Sequence, residues 1–344
     1  MPETIESIAL KRRKWVDANR ENGFEAGLKR LLTDLYPDNA HFIYELLQNA
    51  EDARAQEVRF ILHEDRIEFE HDGKRLFSID DVDAIASIGF STKRDDATNI
   101  GKFGVGFKAV FAYTETPEVE SGEFHFHIYD MVVPKPDGLS TSQFSDKQTR
   151  FGLPFNNSKK PQDRAQSEIE TLLRALDATT LLFLTHIRKI EYLLPDSSLG
   201  YIERIDRGEN RFEIRVQQPS ELAPSSTWFL KFAKDVQVED DEAEEPEQKV
   251  KSCRIAVAFG LLPVETKAGT KEEKGVDAIA TLEWELVPME QGRVCIYFPA
   301  DKETSNLRFH LHAPFASTVA RDSVRDCAGN KVLRDHLAEL LAES

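Results

Sequence analysis

Ten residues, Tyr44–Ala53 (YELLQNAEDA), constrain this chain more than any other stretch. Wound as a helix, they set Glu45, Asn49 and Asp52 at i, i+4 and i+7, so an acid, an amide and a second acid share one stripe. Phe42, Ile43, Leu46, Leu47 and Ala50 fall on the neighbouring face. A polar stripe bordering a buried one suits the wall of a cavity. The partner feature is IGKFGVGF, Ile100–Phe107, whose three glycines let backbone press against phosphates. Together the two stretches point to a nucleotide site.

Composition narrows the field around that site. A chain of 344 residues has room for two domains, each with its own core. The formal net charge is −17, and seven of the acids crowd into Glu239–Glu247 (EDDEAEEPE). Without that run the body still carries about −10, which argues against a broad phosphate-tracking groove for DNA or RNA. The basic run Lys11–Lys14 reads as a solvated helix face. Cys253, Cys295 and Cys327 are spaced too widely for a disulfide framework or a zinc knuckle. No secretory signal opens the chain and no apolar run is long enough for a bilayer, so the cytoplasm is the expected compartment.

Along the chain, Thr4–Asn19 reads as a helix, Leu28–Leu35 as a short helical piece, and Asn39 as the N-cap of the striped helix, which runs to about Arg54. Glu57–His63 and Arg66–Glu70 alternate as a half-buried hairpin around Glu64–Asp65. Asp72–Gly73 turns the chain into a helix over Ser78–Ile88, capped by Ser78 with Asp80 and Asp81 in its first turn. Gly89–Asn99 is polar and long enough for a lid, and a helix starts at Phe107 behind the glycine loop. Strands are expected at Glu123–Val133, Thr149–Phe155 and Leu181–Leu194, with an amphipathic helix at Arg164–Leu176. From about residue 188 short β segments dominate: Gly200–Ile205, Arg211–Val216, Thr227–Phe232, Lys251–Gly260, Ala278–Leu286, Arg293–Pro299 and Arg308–Pro314. Residues 238–249 form a solvated acidic loop, and Asp326–Glu343 tends to helix. The texture divides the chain into domains 1–187 and 188–344.

A magnesium-dependent hydrolase of ATP needs a metal ligand, a group that orients water, a phosphate cradle and a reader of the base. Asn49 offers a neutral carbonyl oxygen for Mg²⁺ already carrying phosphate oxygens and waters. Glu45, one turn earlier, can polarise the attacking water. Gly101, Gly104 and Gly106 let N–H groups face anions, with a helix dipole behind them. The Asp72–Gly73 turn is the natural place for the base reader. The loop matches neither GxGxxG nor GxxxxGK[ST]. His310 and His312 alternate on a strand without Cys or acid partners and read as ordinary strand histidines.

YELLQNAEDA resembles the N-box of the GHKL ATPase superfamily, which includes the ninety-kilodalton heat-shock chaperones, DNA gyrase, mismatch-repair ATPases and histidine kinases. GKFGVGF is similar to that superfamily's second glycine motif, and LYPDNAHFIYELLQNAEDA with SIGFSTK resembles the sacsin-type, chaperone-like branch. The resemblance implies an α/β (α+β) Bergerat-fold sandwich, with a mixed sheet and helices on one face, followed by a smaller α/β transducer-like domain. It implies Glu45 as the catalytic glutamate, Asn49 as the magnesium ligand and Asp52 as the third polar position. Gly101, Gly104 and Gly106 match the superfamily's phosphate loop, with Phe103, Val105 and Phe107 of the same stretch as binding candidates, and Lys93 of the lid and Lys102 of the loop are candidates for phosphate contact. Thr149 resembles the threonine under the adenine. The superfamily's DxGxG motif aligned on Gly73 puts His71 where the aspartate belongs, Asp72 one residue later and Arg75 in place of the second glycine, so both His71 and Asp72 stand as base readers. Arg321, with Arg325 next, is the candidate sensor of the γ-phosphate from the second half.

The implied activity is slow Mg-dependent ATP hydrolysis that drives conformational change, in the N-terminal part of a larger chaperone-like or defence-type protein. The alternative is a nucleotide-gated protein-interaction module that does not hydrolyse. Expected partners are ATP/ADP and a protein client or downstream effector domain, with a homodimer possible by resemblance and direct nucleic-acid or membrane contact not expected. A histidine kinase is disfavoured because no dimerising helix pair with a phosphoacceptor histidine precedes the N-box.

Overall fold

One mixed sheet organises the molecule and crosses the boundary expected near residue 187. The computed structural model describes residues 3–24, 27, 41–87, 106–136, 148–239, 250–265, 282–318 and 322–344. Within these, helix α1 (Ile5–Glu21) opens on a capping box in which Thr4 and Ser7 exchange hydrogen bonds. Helix α2 (His41–Asp52) carries the polar stripe. Strands β1 (Glu57–Leu62) and β2 (Arg66–His71) form the expected hairpin, with Val58, Phe60, Leu62, Ile67 and Phe69 on the buried face.

Helix α3 (Ile79–Ile85) is closed at its start by a reciprocal bond between Ser78 and Asp81. A 3-10 helix, Gly106–Ala112, occupies the place where the sequence predicts an α-helix. Strands β3 (Glu118–Ser121), β4 (Phe124–Tyr129), β5 (Val133–Pro136) and β6 (Thr149–Pro154) follow. The single strand expected over Glu123–Val133 is divided, because Asp130 and Met131 take positive φ (49° and 66°) and turn the chain into a hairpin.

Helix α4 (Gln162–Ala175) precedes a one-turn helix α5 (Thr179–Leu182), and only then does β7 (Lys189–Leu193) begin. The apolar run 181–194, read as strand, therefore splits. Asp177 caps the turn by accepting from the Thr179 amide (2.8 Å), and the run TTLLFL is buried as a helix and bend instead.

Strands β8 (Leu199–Asp206), β9 (Arg211–Gln217), β10 (Ser225–Glu239) and β11 (Val250–Glu265) form an antiparallel meander, with β12 (Leu282–Val287) on the end of β11. Short strands β13 (Val294–Ile296), β14 (Phe298–Pro299) and β15 (His310–His312) complete the sheet, and α6 (Ala328–Glu343) closes the chain. The strand order is β14-β13-β15-β11-β10-β9-β8-β7-β1-β2-β6-β3-β4-β5. The halves join where β7 lies parallel to β1, pairing Val58 with Ile190 and Phe60 with Tyr192. One core runs through both, from Phe42, Leu46 and Phe151 to Ile202, Phe229 and Phe298. A second cluster under α6 unites Leu333, Leu337 and Leu340 with Val236, Ile255 and Val257.

Candidate functional site

Helix α2 positions the site because its apolar face is fully committed. Phe42, Ile43, Leu46, Leu47 and Ala50 are each at most 2% exposed. Burying each of the larger side chains contributes about 1.5–3 kcal/mol, so the helix cannot roll about its axis. Glu45 (8% exposed) and Asn49 (4%) are thereby held against the body, while Asp52 lies nearer the surface.

Glu45 meets the glycine loop at Gly106, the one loop glycine among the described residues. A side chain on Gly106 would collide with the Glu45 carboxylate, so this glycine is what lets the 3-10 helix approach α2. Phe107, beside it, is buried with its ring 5.6 Å from that of Phe151. Gly101, Lys102, Phe103, Gly104, Val105, Lys93 and Arg321 lie outside the described residues.

Asn49 lines a small pocket together with Ala53, His71, Arg75, Leu76, Phe77, Asp81 and Phe151. The two candidate base readers part company here. His71 is 3% exposed and lines the cavity. Asp72 is exposed and spends its carboxylate on the start of β1, accepting from the amides of Gln56 (2.7 Å) and Glu57 (2.9 Å). Gly73 must lack a side chain, since a Cβ there would stand 2.7 Å from both Ala53 Cβ and His71 Nδ1.

The His71 ring is fixed on every side. Its Nδ1 accepts from the Gly73 amide at 3.1 Å, and its face stacks toward Phe151 at 27° with centroids 6.4 Å apart. Burial lowers its pKa to about 4, against a smaller opposing pull from Asp72. Thr149 is paired with His71 across β2 and β6, fully buried, and its hydroxyl bonds Ser121 Oγ at 2.6 Å. Ser121 Oγ also accepts from the Phe77 amide (3.0 Å), so Thr149 braces the strand that carries the cavity wall.

Asp81, Arg75, Phe77 and Phe151 are cavity residues that the sequence reading did not single out for a site. Asp81 is 2% exposed, accepts from the Ser78 amide and hydroxyl (2.9 and 2.8 Å), and pairs with Arg75 Nη1 at 3.4 Å. The sequence signal was present as the Ser78–Asp81 cap, but nothing local says that a helix cap also faces a cavity. Two further features hold α2 in place. The Glu51 carboxylate accepts from the amides of Thr185, His186 and Ile187 at 2.6–2.9 Å. Tyr44, next to Glu45, packs on Phe298 of β14 with centroids 4.7 Å apart.

Among the described residues no trio of His, Cys, Asp or Glu is placed to hold a metal by itself. The strand histidines serve structure: His310 Nδ1 accepts from the Arg293 amide (3.0 Å) and His312 Nδ1 from the Tyr297 amide (3.1 Å). No helix among the described residues is long and apolar enough to cross a membrane.

Part of the chain is similar to known proteins. Residues 24–146, which contain α2, the β1–β2 hairpin and the glycine loop, match the family described as the Sacsin domain. The chain is 29% identical to Protein NO VEIN of Arabidopsis thaliana over 269 residues, which cover 68% of this chain and 9% of that protein. It is 28% identical to Sacsin of Homo sapiens over 240 residues, 52% of this chain and 5% of that protein. Over this segment the chain is sacsin-like, and it spans less than a tenth of the length of either relative. A crystal structure of the N-terminal domain of a DNA repair protein aligns over 90% of this chain and 95% of its own, at 10% identity and a TM-score of 0.45.

Proposed function

We propose that this chain is a magnesium-dependent nucleotide module that binds a purine nucleoside triphosphate and hydrolyses it slowly, ATP being the nucleotide the resemblance implies. The observation that carries this reading is the meeting of Glu45 with Gly106 beside a cavity that Asn49 lines. A carboxylate, a carboxamide and a glycine-loop backbone converge there from two segments far apart in sequence. The donor set fits the group: one carboxamide oxygen suits a hard cation whose other ligands are phosphate oxygens and water. Bound there, magnesium would neutralise charge on the transferring phosphoryl group.

The chain's own residues do the rest. Asn49 would hold the ion's protein side, and Glu45 would orient and polarise the attacking water. The cavity walled by His71, Phe77 and Phe151 takes the base. Turnover drives rearrangement of the surrounding segments rather than production of a metabolite, and the output is contact with a protein client or effector domain, in a larger chaperone-like protein of the cytoplasm.

Single-turnover phosphate release with Mg²⁺, in wild type and Glu45→Ala, tests the proposal. Wild type is expected to release phosphate and the variant to lose 10²-fold or more of that rate while still binding nucleotide, the usual size of a general-base effect. Binding without release in wild type would make the chain a nucleotide-gated interaction module. Absence of nucleotide binding in wild type would overturn the reading altogether.

A further inference from the structure

The polarity of the cavity wall indicates which edge of a base it reads. Where the superfamily motif places an aspartate, an acceptor, this chain places His71, and the structure fixes what that histidine offers. An amide N–H can only donate, so His71 Nδ1, which receives the Gly73 N–H at 3.1 Å, must be the bare ring nitrogen. The ring proton therefore sits on Nε2. A protonated ring would set two donors against each other, and burial independently keeps the imidazole neutral.

The ring cannot turn over to present the other face. A flip would replace Nδ1 by carbon and strip the Gly73 amide of its acceptor in the interior. The stack toward Phe151 and the tight fit of Gly73 against Ala53 oppose the same motion. Among the described residues no acceptor takes the Nε2 proton, although the residue is 97% buried and lines the cavity.

The rest of the wall does not restore an acceptor at that point. Asp81 has its carboxylate engaged by Ser78 and Arg75. Arg75 is a donor, and the amide of Asn49 brings donors as well as an acceptor. An exocyclic amino group set against His71 would meet N–H with N–H. A ring nitrogen lone pair or a 6-oxo oxygen meets the same proton with a lone pair.

We propose that this cavity reads its base through donation from His71 Nε2–H to an acceptor on the six-position edge of a purine, so that 6-oxopurine triphosphates bind within about threefold of ATP. This rests on the nucleotide reading above and goes beyond it by naming the specificity-determining group. His71 acts here as a binding residue, and the amino group of adenine contributes nothing to affinity.

The test is equilibrium binding of the wild-type chain, with Mg²⁺ present, to ATP, to inosine 5′-triphosphate and to purine riboside 5′-triphosphate, followed by calorimetry. Inosine triphosphate carries the 6-oxo oxygen. Purine riboside triphosphate lacks any six-substituent but keeps the N1 lone pair. The expected result is a Kd for both analogues no more than threefold above that of ATP. Any larger loss for either analogue overturns the proposal, because the amino group would then be what the site reads.

If none of the three binds, the nucleotide reading fails instead, and the two failures are distinct. In a second arm His71→Asp restores an acceptor, and ATP is expected to gain about tenfold over inosine triphosphate, the usual worth of one matched against one opposed hydrogen bond. An unchanged ratio in a folded variant counts against His71 as the reader. The wild-type comparison stands whether or not the variant folds.

Discussion

Gly73 shows how little room the cavity wall allows. A methyl group there would sit 2.7 Å from Ala53 Cβ and from the His71 ring nitrogen, and neither neighbour is free to move. Gly73→Ala is expected to destabilise the fold by about 1–3 kcal/mol, the usual cost of overpacking, measured as a lower urea midpoint. Titration is the other residue-scale property with a clear sign. His71, His310 and His312 are all buried, and burial lowers their pKa values to about 4, about 4 and about 3.

An unfolded histidine takes up its proton near pH 6.5, whereas these three resist until the pH approaches 4. Between those values the unfolded chain binds more protons, so stability falls as pH falls, by at most about 1.4 kcal/mol per unit for each histidine. Above pH 6.5 they contribute no slope. Urea midpoints at pH 7 and pH 5 measure this, and equal midpoints would contradict it. At this scale the sequence was informative where chemistry is local: the i, i+4 spacing put Glu45 and Asn49 together, and alignment on Gly73 narrowed the base reader to His71 and Asp72. It could not decide between His71 and Asp72, because that depends on which of the two finds backbone donors at Gln56 and Glu57.

Among the elements, α2 depends on an anchor that no pattern in the sequence announces. Glu51 lies beside Asp52 and reads as one more surface acid, yet it is 2% exposed and takes three amide protons ahead of β7. Glu51→Ala leaves those donors with no acceptor, at about 1–3 kcal/mol each where they are buried. Of the three only Ile187 is buried, so the variant is expected to lose about 1–3 kcal/mol of unfolding free energy in urea, with Glu51→Gln intermediate because one oxygen remains. The boundaries of β1, β2 and α4 followed from periodicity to within two residues and the start of α3 from its Ser78 cap, whereas α3 ends at Ile85, short of the expected Ile88. Residues 179–182 did not follow from them, because a short apolar run suits either a buried strand or a buried turn of helix. The Asp177 cap decides between them only once it is folded.

Considered as a whole, the molecule departs most from what its texture suggests. The change of composition near residue 188 marks no break in the sheet, since β7 lies against β1 and the main core includes residues on both sides. Strand partners distant in sequence leave no periodic trace, which is why the expected two-part division could not reveal this. Cutting at 187 would expose the edge of β1 and remove Ile190, Tyr192, Ile202 and Phe229 from the core. Residues 1–187 alone are therefore expected not to fold cooperatively, which circular dichroism and a flat urea profile would register. A sharp transition in that fragment would show the opposite.

The stack of Tyr44 on Phe298 has a mechanical consequence. That tyrosine immediately precedes Glu45 in the chain, and the ring beneath it belongs to β14, at the far end of the strand order from β5. The segment that carries Phe298 therefore bears directly on the first turns of α2 through this ring contact. Late strands and an early helix thus share one wall, and the helix on that wall is the one that carries Glu45.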